Sequence, residues 1–344
     1  MATTRRLTQK DIARLAGVSQ ATVSLVLNGS PENASRIPLE TRERVQKVIQ
    51  ETGYVADPVA RRMAKGLNRI LGVFTYEPAF PSAQADFFTP FLLGIEEAAQ
   101  ELGYDLLLLT GAGAQRRIFG ENVRLRLADG CIILGRQFDR DELRRLVGGD
   151  FPFVAVGRRD DAGGPVPYVG GAYTPATAAL VARARALGHQ RIAYVGLNEG
   201  AESTVDRWIG FEQALDGADV VYTRFAVAQP AAETLDGILA AGASCVFVTE
   251  LADAIAIDAV ARERGISVPA DLSVVVLGNH IRAEEPGRRF TSFSIPREAM
   301  GREATAMLVR RVDDNAPVEQ VLLDCPILEG ETLGPVSSQP VRNT

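Results

Sequence analysis

From residue 69 onward, short apolar runs alternate with amphipathic stretches, and this alternation constrains the fold more than any other feature of the chain. Seven runs read as strands: ILGVFTY (70–76), YDLLLLT (104–110), GCIILG (130–135), PFVAVG (152–157), RIAYVG (191–196), SCVFVT (244–249) and SVVVLG (273–278). A run that is apolar throughout, rather than at every second residue, suits a strand covered on both faces. Helical stretches such as 91–102 and 174–187 lie between several of the runs. The pattern is that of βαβ units and parallel sheets, an α/β class. The region is too long for one simple doubly wound sheet. Two similar α/β lobes are expected, dividing near residues 165–173.

The N-terminal segment differs. Residues 8–53 read as three short helices. In the first, Ile12, Leu15 and Ala16 share a face, and Gly17 ends it. Ser19 is a fitting N-cap for a second helix from Gln20 to about Leu27, with Asn28-Gly29 as its stop. Pro38 suits the first turn of a third helix, which carries Val45, Val48 and Ile49 and ends at Gly53. Asp57, Pro58 and Gly66 then bound a helix of only about eight residues, too short to be stable alone.

Charge is divided in the same place. The chain carries −6 overall. Residues 1–69 hold 12 Lys and Arg against 6 Asp and Glu, hence +6, and the remainder carries −12. A small basic head on a large acidic body points to a polyanionic partner, with a merely solvated basic face as the other reading. On a helical wheel of 20–28, Val23, Val26 and Leu27 turn inward, whereas Ala21 and Leu25 turn outward with Asn28 beside them. Gln20, Thr22 and Ser24 flank the outer face. Such a helix suits a major groove, where hydroxyls and amides reach phosphates or base edges and Leu25 touches a thymine methyl. The alternative is that Leu25 is an ordinary exposed leucine.

Other classes are excluded. Hydrophobic residues at 46% and charged residues at 23% argue against a disordered chain. No apolar run approaches the roughly 18–20 residues that span a bilayer, and MATTRRLTQK is followed by no apolar stretch. Cys131, Cys245 and Cys325 are far apart, and there are two histidines, so no metal and no cofactor are expected. GAGAQR lacks the third glycine of a dinucleotide loop, and P-loop, GxSxG and HExxH motifs are absent, so the chain is not expected to be an enzyme. A soluble, cytoplasmic protein is expected.

LTQKDIARLAGVSQATVSLVLNG and ETRERVQKVIQETGYVADPVARRMAKG resemble the DNA-binding head and hinge of the lactose/purine repressor (LacI/GalR) family. The resemblance continues through RALGHQRIAYVG, DRWIGFEQAL and VPADLSVVVLG, covering nearly the whole chain. It implies a helix-turn-helix head at 1–55, a hinge helix at 56–68 and, at 69–344, a two-lobed core similar to periplasmic sugar-binding proteins. Lobe 1 would take about 69–167 plus about 295–325, and lobe 2 about 168–294 plus C-terminal residues. It also implies a homodimeric repressor of double-stranded operator DNA, controlled by a carbohydrate or derivative between the lobes. The runner-up is a cytosolic sugar-binding or enzymatic α/β protein with an incidental basic head. The tail GPVSSQPVRNT has no heptad leucines, which argues against tetramers through a terminal bundle.

By resemblance, Gln20, Ala21 and Leu25 are the base-reading positions, the last often arginine in relatives. Thr22 and Ser24 of the TVS motif hold phosphates, and Thr8, Ser19 and Asn28 complete the head. Arg61, Met63 and Ala64 belong to the hinge. Met63 stands where relatives wedge a leucine between base pairs, packing under the core being its alternative. Effector candidates follow from strand ends, where open α/β sheets bind ligands. They are Phe88, beside Phe87 in the loop before the first core helix; Arg136 after Gly135; Arg158 after Gly157; Arg207 and Trp208 opening a helix after strand 191–196; Glu250; and His280 after Asn279. For each, a surface salt bridge or core packing is the plainer alternative. Arg207 matches the family arginine that hydrogen-bonds ligand oxygens. Leu251 and His280 stand at positions usually held by aspartates. Losing two acids leaves donors in excess, so an anionic effector, a sugar acid or sugar phosphate, is expected over a neutral sugar.

Overall fold

The structure is a computed structural model that describes residues 7–28, 37–54, 67–77, 85–109, 117–119, 124–136, 138–215, 217–224, 230–278 and 288–336. The chain forms two compact units, Met1–Asn68 and Arg69–Thr344.

The first unit contains α1 (Gln9–Ala16), α2 (Gln20–Asn28) and α3 (Leu39–Thr52). Thr8 caps α1 reciprocally with Asp11: its hydroxyl accepts from the Asp11 amide, and its own amide donates to the Asp11 carboxylate. Each side chain thereby accepts from the other residue's backbone amide at the exposed start of the helix. Gly17 ends the helix at φ 64°, a left-handed conformation that glycine adopts without steric cost. Ser19 Oγ accepts from the Thr22 amide at 3.1 Å and so starts α2. Ile12, Ala13, Ala16, Val23 and Val45 form the core, with Val26, Leu27, Val48 and Ile49 against it. Leu15 departs from the expected face: it is 54% exposed, and Ala13 takes the inward place. The buried stripe of α1 is centred between residues 12, 13 and 16, which puts Leu15 beyond its edge. The hinge residues Arg61, Met63 and Ala64 lie outside the described residues.

The second unit contains two parallel sheets. The first has β1 (Ile70–Thr75), β2 (Asp105–Leu109), β3 (Gly130–Leu134), β4 (Phe153–Val156), β5 (Tyr168–Gly171) and β11 (Gln320–Leu323), in the order β11-β5-β4-β3-β1-β2. The second has β6 (Arg191–Val195), β7 (Asp219–Arg224), β8 (Cys245–Val248) and β9 (Ser273–Val276), in the order β7-β6-β8-β9. Successive residues feed different cores: Ile132 and Leu134 join a cluster that runs through both lobes, whereas Cys131 and Ile133 join the one on the outer face. Tyr194 and Phe247 repeat this in the second lobe, against Val195 and Val248. Burial on both faces is the reason these strands read as unbroken apolar runs.

The crossing falls within the expected 165–173, but residues 168–171, expected in the second lobe, form β5 and pair with β4 and β11 in the first sheet. The chain therefore passes to the second lobe only after Gly171. It returns near 293–297, and crosses again after β11 so that β12 (Ile327–Leu328) pairs antiparallel with β10 (Ser292–Phe293).

Helices α4 (Ala85–Glu101), α5 (Arg140–Val147) and α10 (Arg297–Asp313) belong to the first lobe, and α6 (Tyr173–Ala186), α7 (Glu202–Gln213), α8 (Ala231–Ala240) and α9 (Leu251–Glu263) to the second. The first core helix begins earlier than expected and runs on through Pro90, so Phe87 and Phe88 lie on it and not in a loop. Among the described residues no helix is long and apolar enough to cross a membrane.

Candidate DNA-reading face and effector cleft

In the first unit, α2 divides as its wheel requires. Val23 is fully buried and Val26 and Leu27 partly so, whereas Gln20, Ala21 and Leu25 are exposed and Thr22 and Ser24 half-buried. Ser19 Oγ and Thr22 Oγ1 lie 2.9 Å apart, and Thr8 is occupied with its cap. Three of these candidates, Thr8, Ser19 and Thr22, thus hold helix ends. The side chain of Asn28 lies outside the described residues. The face offers one amide, small side chains and an apolar tip, with Leu25 at 41% exposure.

In the second unit a cavity of about 780 Å³ opens between the lobes. Its walls come from the carboxyl ends of the strands: Glu77 after β1, Arg136 after β3, Arg159 after β4, Leu197 after β6, Glu250 after β8 and Gly278 after β9. Gly157 and Gly278 end two strands at φ 99° and 130°, backbone conformations closed to most side chains, and turn the chain aside there. The N-terminal turns of α4, α7, α9 and α10 line the same space, so their positive dipole ends face it.

Of the expected effector residues, the structure brings Phe88, Arg136, Arg207 and Glu250 together on this lining, with Leu251 beside them. Arg207 is held on three sides. Its Nε donates to the Leu277 carbonyl at 2.7 Å and its Nη1 to the Ser203 carbonyl at 2.7 Å. Its guanidinium lies 4.3 Å over the Tyr173 ring. It stands in the second turn of α7, not at its start. The Arg136 guanidinium lies 4.6 Å over the Phe87 ring, and its amide donates to the Glu77 carboxylate at 3.2 Å.

Two candidates are elsewhere. Arg158 does not line the cavity: its Nε donates to both Asp206 oxygens at 2.9 and 2.8 Å, and its Nη1 to Asp160 at 2.6 Å. These carboxylates keep its guanidinium charged and raise its pKa against the cost of burial. Trp208 packs in the core on Tyr194 and Phe211, with ring centroids at 4.8 and 5.5 Å. His280 lies outside the described residues.

Arg159, the neighbour of Arg158, lines the cavity in its place. It is 4% exposed and donates to Glu202 at 2.8 Å and to the Gly135 carbonyl at 2.7 Å. Burial lowers its pKa, with Glu202 opposing that shift. Since residues 158–160 follow β4 and residues 202–206 lie on α7, both ion pairs join one lobe to the other. Among the described residues the lining holds four arginines (136, 159, 207 and 297) and four carboxylates (Glu77, Glu199, Glu250 and Asp253). Simple excess of donors, expected from the sequence, is therefore not what the lining shows.

Residues 8–57 match the family described as bacterial regulatory proteins, lacI family, and residues 181–333 match the periplasmic binding protein-like domain. The HTH-type transcriptional regulator CelR of Thermobifida fusca is 30% identical over 92% of this chain and 96% of its own length. The chain belongs to the lacI family. A relative at lower identity is the HTH-type transcriptional repressor PurR of Vibrio atlanticus (strain LGP32), 26% identical over 89% of this chain and 92% of its own. Among solved structures, the transcriptional regulator CelR–cellobiose complex is 25% identical, with a TM-score of 0.62 over 95% of this chain and all of that one. The lac repressor dimer bound to operator and the anti-inducer ONPF shares the fold, with a TM-score of 0.77 at 21% identity over 96% of this chain and all of that one. These relatives are transcriptional regulators, and this lacI-family chain is a DNA-binding transcriptional regulator, not an enzyme.

Sequence reasoning missed several residues of the lacI-family cleft. Tyr173 and Arg297 begin the helices that follow two lobe crossings, at positions where no strand end called attention to them. Asp253 lies in the first turn of α9, on the lining with Glu250. Glu77 directly follows the first strand region and was legible as a strand-end acid.

Proposed function

We propose that this regulator is a homodimeric, cytoplasmic repressor whose affinity for a near-palindromic operator is set by a carbohydrate or carbohydrate derivative in the interlobe cavity. The observation that carries this reading is the cavity itself, walled by strand ends of both lobes and furnished with fixed guanidiniums, aromatic rings and carboxylates. Such a lining offers donors and acceptors to hydroxyls and apolar faces to a sugar ring. A relative of known structure is a cellobiose complex, and another is a dimer on operator DNA, which supports both halves of the proposal. The DNA half rests on α2, whose exposed Gln20, Ala21 and Leu25 face outward while Thr22 and Ser24 flank them. Arg61, Met63 and Ala64 would add the hinge contacts of the family resemblance.

Selection of bound fragments from random duplexes, followed by gel shift with and without candidate sugars, tests the proposal. It expects a two-fold-symmetric site, affinity that falls steeply with salt, and a sugar that changes operator affinity. Binding without sequence preference, or a response to no sugar, would sink it.

A further inference from the structure

The eight charged groups on the cavity lining are not mixed evenly. Glu199, Glu250 and Asp253, all from the second lobe, are exposed. Glu77 is half-buried and holds the Arg136 amide. Arg159 is neutralised by Glu202. Arg207 is different: it is half-buried and donates to two carbonyls, which fix its plane without cancelling its charge. Among the described residues neither Arg207 nor Arg136 makes an ion pair, and each guanidinium rests on a ring that also lines the cavity. Arg297, 8% exposed, adds a third guanidinium 5.9 Å from the Phe87 ring on which Arg136 lies. Arg207 and Arg297 thus stand where solvent screening is weak, whereas Arg136 and the three second-lobe carboxylates stand where it is stronger.

Resting on the reading of the cavity as the effector site, we propose that Arg136 and Arg207 form a two-sided seat, one from each lobe, for an anionic group on the effector. The group is a carboxylate or phosphate carried by a carbohydrate, and Arg297 adds to the field that holds it. A planar guanidinium pre-set on a ring presents paired donors to such oxygens without further ordering. The hydroxyl end of the effector then lies toward Glu250 and Asp253, which accept from it. A seat that draws on both lobes also gives the anion a direct hold on their relative position.

Calorimetry and thermal shift on the full-length protein test this with sugars offered as matched sets: neutral parent, uronic acid and 6-phosphate, with inorganic phosphate alone as a minimal probe. One anionic member is expected to bind at least roughly tenfold more tightly than its neutral parent, and which member does so separates carboxylate from phosphate. Arg136→Gln should weaken that anion by roughly 10–100-fold and its neutral parent by far less. Arg136 is exposed, so the variant is not expected to disturb folding. Three results overturn the seat: a neutral parent that binds as well as its anions, anion binding indifferent to Arg136→Gln, or no shift with inorganic phosphate and every anionic sugar. If a neutral sugar binds and Arg207→Gln abolishes it, the cavity remains the effector site and the anion seat alone fails. If binding survives both substitutions, the placement of the effector fails as well.

Discussion

His189 is 1% exposed, with Nδ1 2.9 Å from Ser244 Oγ and Nε2 2.9 Å from the Gly334 carbonyl. It joins the turn before β6 to the chain segment after β12. Burial lowers its pKa below the usual value near 6.5, with the Gly334 carbonyl working the other way. A base with a depressed folded pKa binds fewer protons folded than unfolded. Its neutral form therefore supports stability fully above about pH 6.5, and that support is lost as pH falls from there through the folded value. His189→Gln should flatten this part of the stability curve, read as the melting temperature of both proteins from about pH 5 to 8. Parallel curves would show that His189 does not set the slope. Leu25 permits a second test at this scale. Leu25→Arg should move operator preference toward guanine at one symmetric position per half-site, by roughly 1–3 kcal/mol in selected-site affinity. Identical sites for both proteins would mean that Leu25 reads no base. The outward face of α2 was legible because helical period alone fixes it. The choice between Arg158 and Arg159 was not, because Gly157 breaks the alternation of β4 and leaves the direction of the next side chains to the turn.

At the scale of elements, α4 and α10 meet through glycines. A Cβ on Gly94 would collide with the Glu298 carbonyl, and one on Gly301 with the Phe91 carbonyl. Both obstacles are backbone, so neither moves away cheaply. Gly301→Ala should destabilise the core unit by about 1–3 kcal/mol, visible as a fall of several degrees in its melting transition. An unchanged transition would mean that the helices part without penalty. Neither glycine announced this role in the sequence, since a glycine inside a helical pattern shows only a local cost and not its partner. The strands divide in the same manner. Those buried on both faces, such as β3 and β8, were legible as apolar runs. β5 was not: YVGG has two glycines, and a Cβ on Gly170 would strike the Arg158 amide nitrogen, so close strand contact displaced the apolar signal. β7 is a half-exposed edge strand and β11 pairs on one side only, and neither needs an unbroken apolar run.

For the whole molecule, the resemblance to one family supplied what periodicity could not: that the two α/β lobes share chain crossings, and the proposal that the cleft between them is the effector site. The charge division adds that a basic segment and an acidic body respond to salt separately, the former through DNA and the latter through its own ion pairs. The pairs Arg158–Asp206 and Arg159–Glu202 place a further demand on the molecule. On α7, residues 202 and 206 grip the first lobe, while residues 203 and 207 face the cavity. Separating the lobes at this point breaks both pairs, so a molecule is expected to enter or leave the cavity on a timescale that they help to set. Asp206→Asn keeps the shape and removes the charge. Stopped-flow measurement should find effector release faster by roughly tenfold and entry faster too, so that affinity moves less than either rate. Release at the wild-type rate would show that the lobes open by another route. On the proposed effector site, the same two ion pairs would then act as a clock, setting how long the regulator remembers an effector after its supply has ended.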